Sequence, residues 1–492
     1  MNRPFWRTKS LDSLASQNNS GPELKRVFGA WQLVLLGVGV TIGAGLFSLS
    51  GVAAGQYAGP GVVLSFIIAA IACGFAGLCY AELAGMIPIA GSAYSYAYVA
   101  MGEGVAWIIG WDLFLEYTVN ASAVASSWSG YCISLLRDWG ITLDPRLTSS
   151  SFALVQLADG SMAHAWFNAP SILILLLVTF LLMIGVSESS RVNAMIVALK
   201  LLIIISVTAI CLPHINSANF HPFIPPNTGH YGEFGFSGVM RAAGLIFFAY
   251  IGFDIVSTAA QDARNPQRDI PFGILGSLVI TAIVYAIFSS VLVGVVDYHE
   301  LANNANPVAT VLDKIHITWF GVLVKIGIML GYISVIYGLL LGQSRVALSM
   351  ARDGLMPKIF NHLNPRTRTP IFSHSITWVA SSVLAACLPI NVLGEMTSIG
   401  TLLAFVIVCL GVLVLRLRAP EMPRLFRVPG GAFLVPILGI LSCGSVMVSM
   451  NIATWLRLFV WLAIGVIIYF CYSRHNSKLV KEAAAENPRN QP

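Results

Sequence analysis

Apolar runs of about twenty residues alternate with short polar or Pro/Gly-rich breaks from Trp31 to Tyr472. About twenty residues is the length a helix needs to cross a hydrocarbon layer of roughly 30 Å. The pattern predicts twelve spans: 31–57, 61–86, 104–136, 170–186, 192–212, 237–260, 271–296, 318–350, 371–388, 395–416, 433–450 and 455–472. The third and eighth exceed a perpendicular crossing and are expected to tilt or to project beyond the bilayer. Composition agrees. With 57% hydrophobic and 10% charged residues, the chain has too little charge to cover a soluble surface. The expected fold class is an all-α integral membrane protein with twelve transmembrane helices, its surroundings a lipid bilayer.

Charge sets the expected orientation, because Lys and Arg gather in cytoplasmic loops. With the N-terminus inside, the cytoplasmic segments hold five basic residues before residue 31, Arg191, Arg264 and Arg268, five from Arg345 to Arg368, four from Arg416 to Arg427, and four from Arg474 on. That is 21 of the 28. Both termini are therefore expected in the cytoplasm, with the protein multi-pass in a bacterial inner (plasma) membrane. The first 30 residues lack the short apolar core and small-residue cleavage site of a secretory signal and read as a retained tail. The net charge of +6 follows from this topology and does not point to nucleic acid. The eight Cys lie in or beside apolar runs, where Cys behaves as a small hydrophobe, and argue for neither a disulfide framework nor a metal site.

Two spans carry interruptions. The first reads Gly37-Val-Gly39-Val-Thr-Ile42-Gly43-Ala44-Gly45-Leu-Phe47, and each glycine weakens a helix by about 1 kcal/mol relative to Ala. The sixth reads Phe247-Phe248-Ala249-Tyr250-Ile251-Gly252-Phe253-Asp254. Five spans separate them, as expected of an inverted repeat of five plus five helices, each led by a discontinuous helix. The expected divisions are a tail at 1–30, repeats at 31–212 and 213–416, two additional helices within 417–472, and a tail at 473–492. Unwound backbone is tolerated in a bilayer only where it lines a cavity or binds something. Half-helix N-termini suit a carboxylate, and free carbonyls suit an ammonium or a small cation. Two such breaks face to face suit a zwitterion.

Charges inside spans are functional candidates by default. Lys200 sits in mid-span in Ala198-Leu199-Lys200-Leu201-Leu202, where a lysine can tether carbonyls or exchange protons. Asp112 and Glu116, four residues apart, share one helix face and repel. Asp254 is expected to cap the half-helix after the second break, and Glu82 to pair with a cytoplasmic basic group.

The run Val40-Thr41-Ile42-Gly43-Ala44-Gly45-Leu46-Phe47 resembles the first-helix signature of the amino acid–polyamine–organocation superfamily. The run from Phe247 to Asp254, with Asn265-Pro266-Gln267-Arg268-Asp269-Ile270-Pro271, Pro88-Ile-Ala-Gly91-Ser-Ala-Tyr94 and Met350-Ala-Arg352-Asp353-Gly354-Leu-Met-Pro357, resembles its bacterial cationic amino acid transporter branch. The resemblance implies a leucine-transporter-like fold and proton-coupled uptake of cationic or bulky neutral L-amino acids by alternating access. The paired breaks place the substrate carboxylate at Ile42, Gly43, Ala44 and Gly45 and its ammonium at the carbonyls of Phe248, Ala249 and Ile251, and the resemblance implies Phe248 as the gate and Glu116 beside the pocket. It puts proton coupling on Lys200, where sodium-coupled relatives bind Na⁺. Relatives often carry Thr or Ser where this chain has Ala44, which leaves carboxylate binding to backbone N–H groups. It leaves open exchange instead of uptake, a transporter-like nutrient sensor, and a small accessory membrane subunit.

Other classes lack their motifs. There is no HExxH, GxSxG or paired intramembrane Asp pattern of an enzyme, no Walker sequence for ATP, and no repeated pore loop. The implied drive is the proton motive force, without a cofactor.

Overall fold

The computed structural model describes residues 6–8 and 28–481, apart from 88–91, 152, 158–159, 186–189, 259–262, 303–305, 368, 425 and 432. The Pro88–Gly91 part of one motif, most of the N-terminal tail, Arg368 and Arg489 lie outside the described residues. The chain is mostly helical. Among the described residues, seven helical stretches are long and apolar enough to cross a membrane: Ala30–Met86, Val192–His214, Gly235–Ser257, Pro266–Val295, Trp319–Arg352, Ile390–Arg418 and Ile452–Asn476. Three shorter apolar helices accompany them.

In chain order the helices are α1 (Ala30–Thr41), α2 (Ser50–Ala53), α3 (Val62–Met86), α4 (Ser92–Ala100), α5 (Glu103–Asp138), α6 (Ala169–Met183), α7 (Ser190–Cys211), α8 (Gly235–Ile246) and α9 (Ile255–Thr258). They continue as α10 (Pro266–Val295), α11 (Pro307–Lys314), α12 (Thr318–Arg352), α13 (Ile371–Cys387), α14 (Ile390–Arg418), α15 (Leu434–Val448) and α16 (Ile452–Ile468). Strands β1 (Leu154–Gln156) and β2 (Met162–His164) form an antiparallel hairpin between α5 and α6. The 57-residue stretch Ala30–Met86 contains a reversal at Gly59, whose φ of +58° favours glycine.

Two features depart from the hydrophobic pattern. Helices α4 and α11 occupy segments read as loops. The tenth expected span begins five residues early, at Ile390, because the helix starts directly behind Pro389. The first and sixth spans are each split into two helical pieces, as their glycines predict.

The polarity of the molecule is inverted relative to a soluble protein. Met195, Leu202 and Ile205 on α7 and Leu456, Val460 and Ile467 on α16 are exposed, whereas Asp112, Glu116, Lys200 and Asp254 are buried. Such a molecule needs an apolar surround. Inside, α12 runs along α5, and α10 lies against both α1 and α3. Helix α14 packs on α5 and α15, and α16 packs on α5. At one end of the molecule, Glu82 on α3 accepts both Arg416 Nε (3.0 Å) and Arg416 Nη2, with Arg424 Nε at 3.5 Å and the Val428 N–H at 2.9 Å. There the buried Glu103 accepts from Tyr98 (3.1 Å), Tyr469 (3.1 Å) and Ser477, and its own N–H donates to Arg7 O.

Candidate functional site

The site grows from the two helix interruptions. Helix α1 stops at Thr41, and Ile42 turns extended (φ −74°, ψ 100°). A new helical segment starts with Leu46 and Phe47 N–H both donating to Gly43 O. As at any helix start, the first N–H groups have no partner within the helix. Helix α8 gives way at Phe247 to a tight turn through Tyr250, and Ile251 is again extended (φ −69°, ψ 133°). Gly252 follows at φ +128°.

The breaks face each other at backbone distance. A β-carbon on Gly45 would lie 2.3 Å from Ala249 Cα, and one on Gly252 would lie 3.0 Å from Thr41 N. Tyr285 on α10 spans the junction, its hydroxyl 2.8 Å from both Thr41 O and Ala249 O. Gly43 faces elsewhere, toward Val335 on α12 at 3.3 Å. The structure thus brings Ile42, Gly43, Ala44 and Gly45 together with Phe248, Ala249 and Ile251, all of them buried.

Lys200 joins them from α7. Its Nζ donates to Gly39 O at 2.6 Å and to Ile42 O at 3.1 Å. Helix α1 releases these carbonyls because it ends at Thr41. The stem of Lys200 lies across Gly331 on α12, where a β-carbon would meet Lys200 Cε at 2.7 Å. The lysine therefore lies between the broken helix and α12, its ammonium on the former and its methylenes on the latter.

The carboxylates adjoin the second break. Asp254 Oδ1 accepts from Gly252 N–H (3.2 Å) and Oδ2 from the Tyr117 hydroxyl (3.2 Å). The side chain thus fixes the extended residues before α9, and the Ile255 N–H that opens α9 reaches it as well, as a cap at that helix start would. Glu116 adjoins this group and interacts electrostatically with both Asp254 and Asp112. Both oxygens of Glu116 and of Asp112 are buried with no hydrogen-bond partner among the described residues. Asp112 rests against Gly400 on α14, where a β-carbon would meet Oδ1 at 3.0 Å.

Two of the carbonyls expected to hold an ammonium already accept one hydrogen bond each, Phe248 O from Ile251 N–H and Ala249 O from Tyr285. Each carbonyl keeps a second lone pair. Sequence reading missed Tyr285, and also Tyr131, whose hydroxyl donates to Phe47 O at 2.6 Å. A tyrosine inside an apolar run carries no signal of its partner, and here the partners are up to 244 residues away. In the loop beyond α12, Asp353 accepts from the Tyr94 hydroxyl at 2.8 Å.

The sequence profile of the amino acid permease family matches residues 28–471. The chain is 40% identical to the branched-chain amino acid permease of Bacillus subtilis (strain 168), over 97% of this chain and 100% of that one. It is 38% identical to the methylthioribose transporter of the same organism, over 97% and 99%. It is 36% identical to the vacuolar cationic amino acid transporter 4 of Arabidopsis thaliana, over 84% and 67%. These relatives are transporters and permeases, not enzymes. The chain is therefore a multi-pass membrane protein that belongs to the amino acid permease family within the amino acid–polyamine–organocation superfamily.

Proposed function

We propose that this permease is a proton-coupled secondary transporter that takes up cationic and/or bulky neutral L-amino acids by alternating access. The observation that carries the reading is the Lys200 ammonium, 2.6 Å from Gly39 O and 3.1 Å from Ile42 O. Released carbonyls in a membrane interior attract a small cation, and here a side chain supplies the cation. A covalently held charge cannot leave with the substrate, but it can lose and regain a proton.

On this reading the N–H groups of Gly43, Ala44 and Gly45 receive the substrate carboxylate. The second lone pairs of Phe248, Ala249 and Ile251 O receive its ammonium, while Phe248 closes over it. The variable side chain points toward Glu116. Relatives named for branched-chain and for cationic amino acids support a shared backbone site with a variable pocket. The twelve spans cross the inner membrane as two inverted five-helix repeats, 31–212 and 213–416, in the leucine-transporter-like arrangement, followed by two further helices. Both termini are cytoplasmic, which the clustering of basic residues supports.

The test is a competition-uptake panel of the twenty L-amino acids at two external pH values in proteoliposomes. The reading expects competition by a subset of cationic or bulky neutral amino acids and faster uptake at the acidic value. Binding without accumulation would make the protein a sensor, and accumulation only against a preloaded amino acid would make it an exchanger.

A further inference from the structure

At the end of the molecule opposite Glu82 and Arg416, a charged contact lies beside the outer parts of α8 and α14. Arg241 on α8 and Glu395 on α14 approach to 3.9 Å, with side chains 18% and 11% exposed. The two partners are held unequally. Glu395 Oε2 accepts a short hydrogen bond, 2.6 Å, from Thr454 Oγ1 near the start of α16. Arg241 has its carboxylate beyond hydrogen-bonding distance, and its buried Nε has no partner among the described residues. Its guanidinium lies instead 4.6 Å above the Tyr57 ring.

Directly beneath, Gly394 is a notch that admits Leu49 and Leu245: a β-carbon there would meet their Cδ1 atoms at 2.9 and 3.1 Å. Ser398 Oγ donates to Leu245 O at 3.3 Å, three residues before Phe248. Arg241 and Tyr57 belong to pieces of the two broken helices on the same side of the breaks, and Glu395 faces them from α14.

Thr454 is anchored on the other side. Helix α16 is fixed to α5 by Trp107 Nε1 on Gly465 O (2.8 Å) and by reciprocal bonds of Trp111 Nε1 to Trp461 O (2.9 Å) and Trp461 Nε1 to Trp111 O (3.1 Å). Glu395 is thus tied through Thr454 to a pair of helices bonded to each other, whereas Arg241 rides on a broken one.

We propose that Arg241 and Glu395 form the latch that shuts the outer mouth, with Thr454 as the positioning residue that holds Glu395 in place each time the latch opens. A fully bidentate pair would resist opening. A pair with one partner fixed and the other loosely engaged re-forms readily and separates readily. The last two helices, outside the proposed repeats, then serve as a stator for that gate. The proposal rests on the alternating-access reading above.

The test uses Leu245→Cys as a reporter, 1% exposed in the closed arrangement, in a full-length protein whose native cysteines are replaced. A membrane-impermeant methanethiosulfonate is applied from the outside. Glu395→Gln and Arg241→Gln are expected to speed labelling by about five-fold, the ratio a partly exposed pair can supply. Thr454→Val should speed it less, Thr454→Ser should restore the parent rate, and the exchange R241E/E395R should return labelling toward that of the parent. Labelling of Glu395→Gln at the parent rate, or of the exchanged pair as fast as of the single variants, would overturn the latch. Alternating access is read separately, from the change in parent labelling when a mixture of the twenty L-amino acids is added. If that change is absent while Glu395→Gln still speeds labelling, the latch stands and the transport cycle falls.

Discussion

Gly45 lies against Ala249 so closely that a β-carbon at position 45 would stand 2.3 Å from the Ala249 Cα. The obstacle is backbone, so no side-chain rotation relieves it, and the two broken helices owe their contact to the missing methyl group. At Gly43 the nearest atom is a Val335 methyl at 3.3 Å, which a small rotation can move. Gly45→Ala is therefore expected to abolish substrate binding and Gly43→Ala to weaken it by less than about ten-fold, with overpacking as the cause in both. Equilibrium binding to the purified, folded variants decides this, and equal losses at the two positions would contradict it.

Tyr285 supplies one hydroxyl proton to two carbonyls, Thr41 O and Ala249 O. It can donate to only one at a time. Tyr285→Phe removes the donor and leaves both carbonyls buried without it, a loss of about 1–3 kcal/mol for the assembled junction. Substrate affinity should fall roughly ten-fold or more while the purified protein remains monodisperse. Unchanged affinity in Tyr285→Phe would mean that the tyrosine only fills space between α1 and α10.

Glu116 is buried without a hydrogen-bond partner among the described residues, next to Asp254 at the end of the second break. If the substrate side chain points there, Glu116→Gln should change the preference between arginine and leucine by about ten-fold or more, the scale of a lost charge-assisted contact. Affinity for the shared amino and carboxyl groups should move little. An unaltered arginine-to-leucine ratio in competition uptake would remove Glu116 from the pocket.

How much was readable in advance follows from where each signal lies. Lys200 stands out because an ammonium inside an apolar run is costly, and the structure gives it the carbonyl partners that the cost demands. Gly45 and Gly252 were legible because glycine in mid-span has few uses, and backbone approach is one of them. Tyr285 and the Arg241–Glu395 contact were not. A tyrosine inside an apolar run or an arginine near a span end is ordinary, and its meaning depends on a partner far away in sequence, for Tyr285 36 and 244 residues. Helix α4 escaped because Ser92–Ala100 is small and tyrosine-rich rather than apolar enough to span, and its side chains are buried by the neighbouring helices. Asp254 stands at the start of α9, where a cap is expected from the sequence, and a contact the sequence does not signal is its reach back to Gly252 N–H.

The central claim is that Lys200 couples protons to transport. The measurement is accumulation of amino acid by proteoliposomes containing parent, Lys200→Ala or Lys200→Arg protein, under an imposed proton gradient and then a sodium gradient. The account predicts that acid outside drives accumulation by the parent and sodium does not. Lys200→Ala should lose the proton-driven component while still binding substrate. Lys200→Arg should lose it too, because a guanidinium keeps its proton throughout this range. Sodium-driven accumulation by the parent, or undiminished proton-driven accumulation by Lys200→Ala, would contradict the account and leave the lysine as a tether between Gly39, Ile42 and α12.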